Sequence, residues 1–363
     1  MELMQANKQW SSRPDDERFT DLVSMQAHFE AQRAISKAVV TSSRSLTIVP
    51  DADNEGLQLV GPKGNGFAPS HMAFGQLASL VGAPAGYLRT LPSPLAADAL
   101  NYGLKIARQA EDVGLLLTRN GESVVRAATG PNYGRIWNAD ILGAMVKAFG
   151  DGVSGDGFRV PGEFGRQVTV TKDNTTLFAG DRDMFVFLAD EQNRIELLNR
   201  RDGQAGSMAR GFFVWNSEVG STTFGIAAFL FDYVCCNRIV WGAQEFKQVT
   251  LRHTRSAPDR WIEEMRPALQ SYANSSTVSV VKAIEDARSQ RITATSNNVT
   301  DFLANRFGTR VMAQAIERAH IADEGRPIET MWDAVTGATA HARGIINQDE
   351  RVRVERAAGM LMG

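Results

Sequence analysis

Apolar positions along the chain fall into two rhythms, and the boundaries between them sketch the fold. From Glu17 to Val40 the spacing is mainly helical, with Phe19, Leu22, Val23 and Phe29 as its apolar positions. Leu46 to Val49 and Leu57 to Val60 are short strand candidates around the turn formers Pro50 to Gly56. Ser70 is placed to cap a helix running to about Val81, stopped by Gly82-Ala83-Pro84. A short helix then holds Tyr87 and Leu88, and another runs from Ser93 to about Gln109. Val113 to Arg119 and Glu122 to Ala128 flank Asn120-Gly121, the pair that best tolerates a type I′ turn, and predict a hairpin. Asn138 is placed to cap a helix through Phe149.

Farther along, strands are expected at Gln167–Lys172 and Met184–Ala189. The runs Phe212–Trp215 and Phe224–Val234 are rich in β-formers, and Phe246–His253 would close a sheet. From Pro258 the spacing turns helical, through Trp261, Ile262, Met265 and Leu269. Polar residues 289–298 read as a linker before helices at Phe302–Phe307, Thr309–His320, Ile328–Ile346 and Gln348–Met362. Strands grouped centrally without βα alternation predict an α+β fold, a central mainly antiparallel sheet flanked by helices with a helical C-terminal part. The expected division is a flexible tail at 1–16, a core domain at 17–288 and a helical subdomain at 299–363.

Composition narrows the function classes. Hydrophobic residues make up 43% of 363 and charged residues 22%, the balance of a globular chain. Thirty-nine basic against 41 acidic residues give a net charge of −2, which excludes a uniformly basic coat but leaves room for a local basic groove. Cysteine occurs only at Cys235 and Cys236, too few for a disulfide framework or a four-cysteine zinc site. Met1 to Trp10 lacks the charged start and apolar run of a secretory leader, and no stretch is long enough to span a membrane. The expectation is a soluble cytoplasmic protein with no membrane partner.

Candidate chemistry is sparse. Gly61-Pro62-Lys63-Gly64-Asn65-Gly66 lacks the Gly-Lys-Ser/Thr ending of a phosphate loop. The five histidines show no metal-ligand spacing, so no cofactor or metal is expected. Asp232 followed by Glu245-x-Lys247 has the acid, acid-x-lysine order of magnesium-dependent nucleases, in which two carboxylates hold the metal and the lysine steadies water. The same residue types are also ordinary surface charges on strands. Phe246 to Arg255 holds Lys247, Arg252, His253 and Arg255 and no acid. Arg126, Tyr133 and Arg135, with Trp137 beside them, interleave cations with aromatics, a pairing that can neutralise phosphates and stack on bases.

Four places carry a family resemblance. They are Phe74-Gly75-Gln76-Leu77-Ala78 with Ala83 to Leu88; Val125-Arg126-Ala127 leading to Asn132-Tyr133-Gly134-Arg135; Asn216-Ser217-Glu218-Val219-Gly220-Ser221; and Cys236-Asn237 followed by Leu251-Arg252-His253-Thr254. With Thr330 to Thr336 near the end, their order resembles the phage/plasmid-like protein family, a domain of unknown function found in phages, prophages and conjugative plasmids. The chain departs from that pattern at Asn237-Arg238, where a glycine would follow the asparagine. The resemblance implies a mobile-element setting and supplies no catalytic residues.

The residues and that setting together lead to one expectation: a non-catalytic nucleic-acid-binding protein, favouring single-stranded DNA and working as a homo-oligomer in recombination or replication. Its expected contacts are Lys247, Arg252, His253, Arg255, Arg126, Tyr133 and Arg135. Two alternatives belong to other classes. One is a counter-defence factor that binds a host protein; the other is a metal-dependent nuclease using Asp232, Glu245 and Lys247.

Overall fold

The computed structural model describes residues 13–61, 64–106, 112–155, 157–161, 169–190, 192–197, 206–232, 238–239, 249–292, 298–345 and 348–362. Strand β1 (Arg18–Phe19) leads into α1 (Leu22–Ala34), whose first turn is closed by the Ser24 N–H donating to the Asp21 side chain at 2.7 Å. The helical pattern expected through Val40 ends earlier. From Ser36 to Ser42 the chain is strand β2, because Val39, Val40 and Thr41 are β-branched and pack better on a pleat than on a helix.

Strands β3 (Thr47–Pro50), β4 (Leu57–Val60) and β5 (Gly66–Pro69) follow, then α2 (His71–Leu80), capped by Ser70 as its sequence predicts. After α3 (Ala85–Leu88) and α4 (Ser93–Ile106) comes the expected hairpin, β6 (Asp112–Asn120) and β7 (Glu122–Thr129). Its turn is tighter than type I′. Asn120 pairs with Glu122, and only Gly121 takes a positive φ, +74°.

These strands form a six-stranded sheet in the order β2-β6-β7-β5-β4-β3, antiparallel except where β5 meets β7. Leu77, Leu100 and Leu104 from α2 and α4 bury themselves against Ile48, Leu115 and Val125 of this sheet. The outer edge of β3 is closed by Asn101 of α4. Its side chain accepts from the Ile48 N–H and donates to the Ile48 carbonyl, at 2.8 and 2.7 Å.

The larger sheet holds β1, β8 (Phe158–Arg159), β9 (Leu177–Ala179), β10 (Met184–Asp190), β11 (Ile195–Leu197), β12 (Gly206–Asn216), β13 (Phe224–Asp232), β14 (Arg238–Ile239) and β15 (Val249–Leu251). All its pairings among the described residues are antiparallel. Residues 169–172, expected as strand, are not; pairing begins at Leu177, within the buried run Leu177-Phe178-Ala179. Helices α1 and α5 (Asn138–Phe149) cover one face, with Met25, Phe29 and Leu142 packed over Val186, Leu188 and Phe212. The chain then runs through α6 (Ala257–Arg260) and a π turn at Trp261–Met265 into α7 (Arg266–Asn274). Arg210, on β12, pairs with Asp190 at 3.1 Å in this core and reaches the Ser275 carbonyl just past α7.

The last helices are α8 (Val278–Ser289), α9 (Val299–Phe307), α10 (Arg310–Glu324), α11 (Met331–Arg343) and α12 (Gln348–Gly359). They share one apolar cluster, and that cluster takes in Ile195, Met208 and Leu230 of the larger sheet. Ile292, in the stretch read as a linker, is fully buried within it. Thr330 and Asp333 form a capping box on α11, and Arg326 grips the Asp333 carboxylate with both terminal nitrogens. Beneath them His320 is completely buried, its ring 3.2 Å from the Thr336 hydroxyl. The fold is α+β: two mainly antiparallel sheets flanked by helices, with a helical C-terminal part.

Candidate nucleic-acid interface

All four stretches that carry the family resemblance contribute where the two sheets adjoin, the first through Gln76 and the last through its Leu251–Thr254 part. Strand β7 delivers Arg126, and residues 130–137 carry Tyr133, Arg135 and Trp137 toward α5. The loop after β12, Ser217 to Ser221, enters from the larger sheet, and the end of β15 brings His253. Gly134 and His253 clasp each other: the Gly134 N–H donates to the His253 carbonyl at 3.1 Å, and the His253 ring Nδ1 contacts the Gly134 carbonyl at 3.0 Å. A Cβ at position 134 would overlap the Thr254 carbonyl oxygen, so only glycine admits this approach.

The clasp sets a stack. The His253 and Tyr133 rings lie 4.8 Å apart at 23°, and the Arg135 guanidinium sits 5.2 Å from the Tyr133 ring and 5.9 Å from Trp137. Burial, followed by the neighbouring Arg135 charge, pushes the His253 pKa down against the Gly134 hydrogen bond, so the ring is neutral near pH 7. Burial also pulls down the Arg135 pKa, yet an arginine keeps its proton. Its Nε and one Nη are buried with no acceptor in reach. A cation held this way is costly until an anion supplies the missing acceptors.

Beneath the stack lies a polar seam. Glu218, 3% exposed, accepts from Arg126 at 3.0 Å and from the Asn138 N–H at 2.9 Å. Asn138 therefore opens α5 as its first residue, and the carboxylate that meets the helix N-terminus comes from position 218. Asn216 donates to the Ile136 carbonyl and the Asn138 side chain, at 2.8 and 2.7 Å. Gln76 donates to the Val219 carbonyl and accepts from the Ala128 N–H, at 2.7 and 2.8 Å. The Tyr133 hydroxyl donates to the Ser217 carbonyl at 2.7 Å, and burial holds its pKa well above that of a free tyrosine.

The structure thus brings Arg126, Tyr133, Arg135 and His253 together, although 118 positions separate Arg135 from His253. Their tasks differ. Arg126 is engaged by Glu218, and Tyr133 is fixed at ring and hydroxyl, so both build the seam. Arg135 carries the unmet donors. Arg252 and Arg255 flank His253 and are exposed.

Lys247 and Glu245 lie outside the described residues, as do Cys235 and Cys236. The backbone of Asp232 pairs with Met208 at the end of β13. Among the described residues no three His, Cys, Asp or Glu side chains form a group able to hold a metal ion. Nor is any helix among them long and apolar enough to cross a membrane. Glu218, Asn216 and Gln76 were not singled out from the sequence as site residues, because their partners are remote; only the family-like order of their segments marked them. Comparison with protein-family models, curated proteins and solved structures finds no match.

Proposed function

We propose that the chain is a non-catalytic nucleic-acid-binding protein of a phage or plasmid, favouring single-stranded DNA and acting as a homo-oligomer. The observation that supports this best is the Arg135 guanidinium, with buried donors lacking acceptors, stacked among Tyr133, His253 and Trp137. The Arg135 charge attracts a phosphate, whose oxygens meet the two buried donors once the side chain swings outward, and Arg252 and Arg255 extend the positive charge along the adjoining segment. The neutral His253 is suited to packing rather than to proton transfer at neutral pH. The sequence-level resemblance to the phage/plasmid-like family supplies the setting.

The test is fluorescence anisotropy of a labelled single strand, with a matching duplex alongside, across a salt series. Binding should weaken log-linearly with salt. Arg252→Ala with Arg255→Ala should lower affinity about tenfold and flatten the salt slope by roughly one to two units. Arg135→Met should weaken binding at least as much while keeping the thermal midpoint. No binding at low salt, or an unchanged slope in the double variant, would overturn the reading.

A further inference from the structure

The smaller sheet treats its two edges differently. The edge at β3 is closed, since Asn101 satisfies both backbone groups of Ile48. At the other end β2 pairs only with β6 among the described residues. The Arg119 N–H donates to the Ile35 carbonyl directly opposite it, which fixes the alternation of the ladder. Residues 37, 39 and 41 turn their backbone groups toward β6, so Ala38 and Val40 direct theirs away from the sheet. Val40 is 59% exposed. An open edge with apolar residues invites another strand.

Beside this edge runs a cavity of about 510 Å³. Val39, Leu46, Leu59, Phe67, Leu115 and Leu117 give it an apolar lining. Among the described residues Lys37 and Arg119 are the charged groups that line it, and none that lines it is acidic. Arg119 also lies 5.1 Å from the Phe67 ring, which holds a cation beside the apolar lining. Backbone groups for a strand, a recess for side chains and unopposed positive charge occur together.

We propose that β2 and this groove dock an extended segment of a partner protein, one that presents both acidic and apolar side chains on the single strand face turned to the recess. Its backbone would pair with Ala38 and Val40, and of its recess-facing side chains, two residues apart along the strand, those beside Lys37 and Arg119 would be acidic and those beside Val39 and Leu115 apolar. Strand addition supplies affinity through main-chain hydrogen bonds and specificity through the pockets beside them. The charge selects an acidic segment over a second copy of this chain, whose own β2 carries Lys37 and no acid.

The probe is a labelled synthetic peptide with threonine at every second position and, at the positions between, two aspartates followed by two isoleucines, long enough to pair the whole strand and read by anisotropy against the full-length protein. It should bind saturably, and the same peptide with lysine for aspartate should not. Val40→Pro deletes one outward N–H without touching the ladder to β6 and should weaken binding about tenfold, whereas Val40→Thr should not. Lys37→Glu with Arg119→Glu should reverse the preference toward the lysine peptide. Each variant should keep its thermal midpoint and its affinity for a single-stranded oligonucleotide, which separates this site from the Arg135 stack. Equal binding of both peptides, or of one N-methylated at alternate amides, would overturn the proposal. So would displacement of the peptide by decanoate with no effect of Val40→Pro, which would assign the groove to a small amphiphile. A dimer that Val40→Pro abolishes would assign the edge to a second copy.

Discussion

Two buried residues carry opposite electrostatic risks. Glu218 is an anion with two partners, Arg126 and the first N–H of α5, in a place nearly closed to water. Replacing it by Gln removes the counter-charge and leaves the Arg126 guanidinium stranded, which should cost about 3 kcal/mol in denaturant-derived stability. An unchanged midpoint would show that Arg126 finds another acceptor. His320 is a neutral group in an apolar place, and burial, against the pull of Asp333, lowers its pKa to about 4. In the unfolded chain it titrates near 6.5, so between about 6.5 and 4 the unfolded state binds a proton that the folded state refuses. Stability must therefore fall as pH drops through that window, by up to about 3 kcal/mol. His320→Gln should flatten the dependence there and leave the acid limb below about pH 4, where Asp333 is held below the usual carboxylate range by Arg326 and backbone donors. A pH-stability profile that is the same in both proteins would refute the assignment.

Elements with local causes were legible in advance. Ser70 caps α2, and β6 and β7 flank Gly121. Met184, Phe212 and Phe224 fall in strands because continuous apolar runs there have both faces covered. Where a local preference met a competing one, legibility failed. Residues 36–40 fall at the end of the stretch expected to be helical, yet β-branching and pairing with β6 make 36–42 a strand. The C-terminal helices were visible by their spacing, but not what they rest on: Ile195, Met208 and Leu230 reveal that only in three dimensions. Those three side chains give a prediction. A chain ending after Thr277 loses α8 to α12 and uncovers them, each worth about 2 kcal/mol of burial. It should bind a hydrophobic dye strongly and self-associate at micromolar concentration, as read by dye fluorescence and sedimentation. A monodisperse, dye-silent product would mean the sheet closes over its own apolar face.

Across the whole molecule, the candidate site depends on long-range closure more than on any one element. Its aromatic and cationic side chains were readable as residue types, because Tyr133, Arg135 and His253 sit in short, distinctive stretches. Their convergence was not, since no spacing rule links positions so far apart. The seam between the sheets has a consequence for the order of events during synthesis. Gln76 bonds to Val219 across 143 positions, Arg126 to Glu218 across 92 and Tyr133 to Ser217 across 84. The smaller sheet is complete once Thr129 has emerged from the ribosome, and it can collapse on its own helices at once. Its side of the seam must then wait, polar groups facing water, until translation has passed position 221 and, for the clasp at Gly134, position 253. Closure over such long loops is slow, so formation of the Arg135 stack should be among the last steps of folding, after both sheets exist.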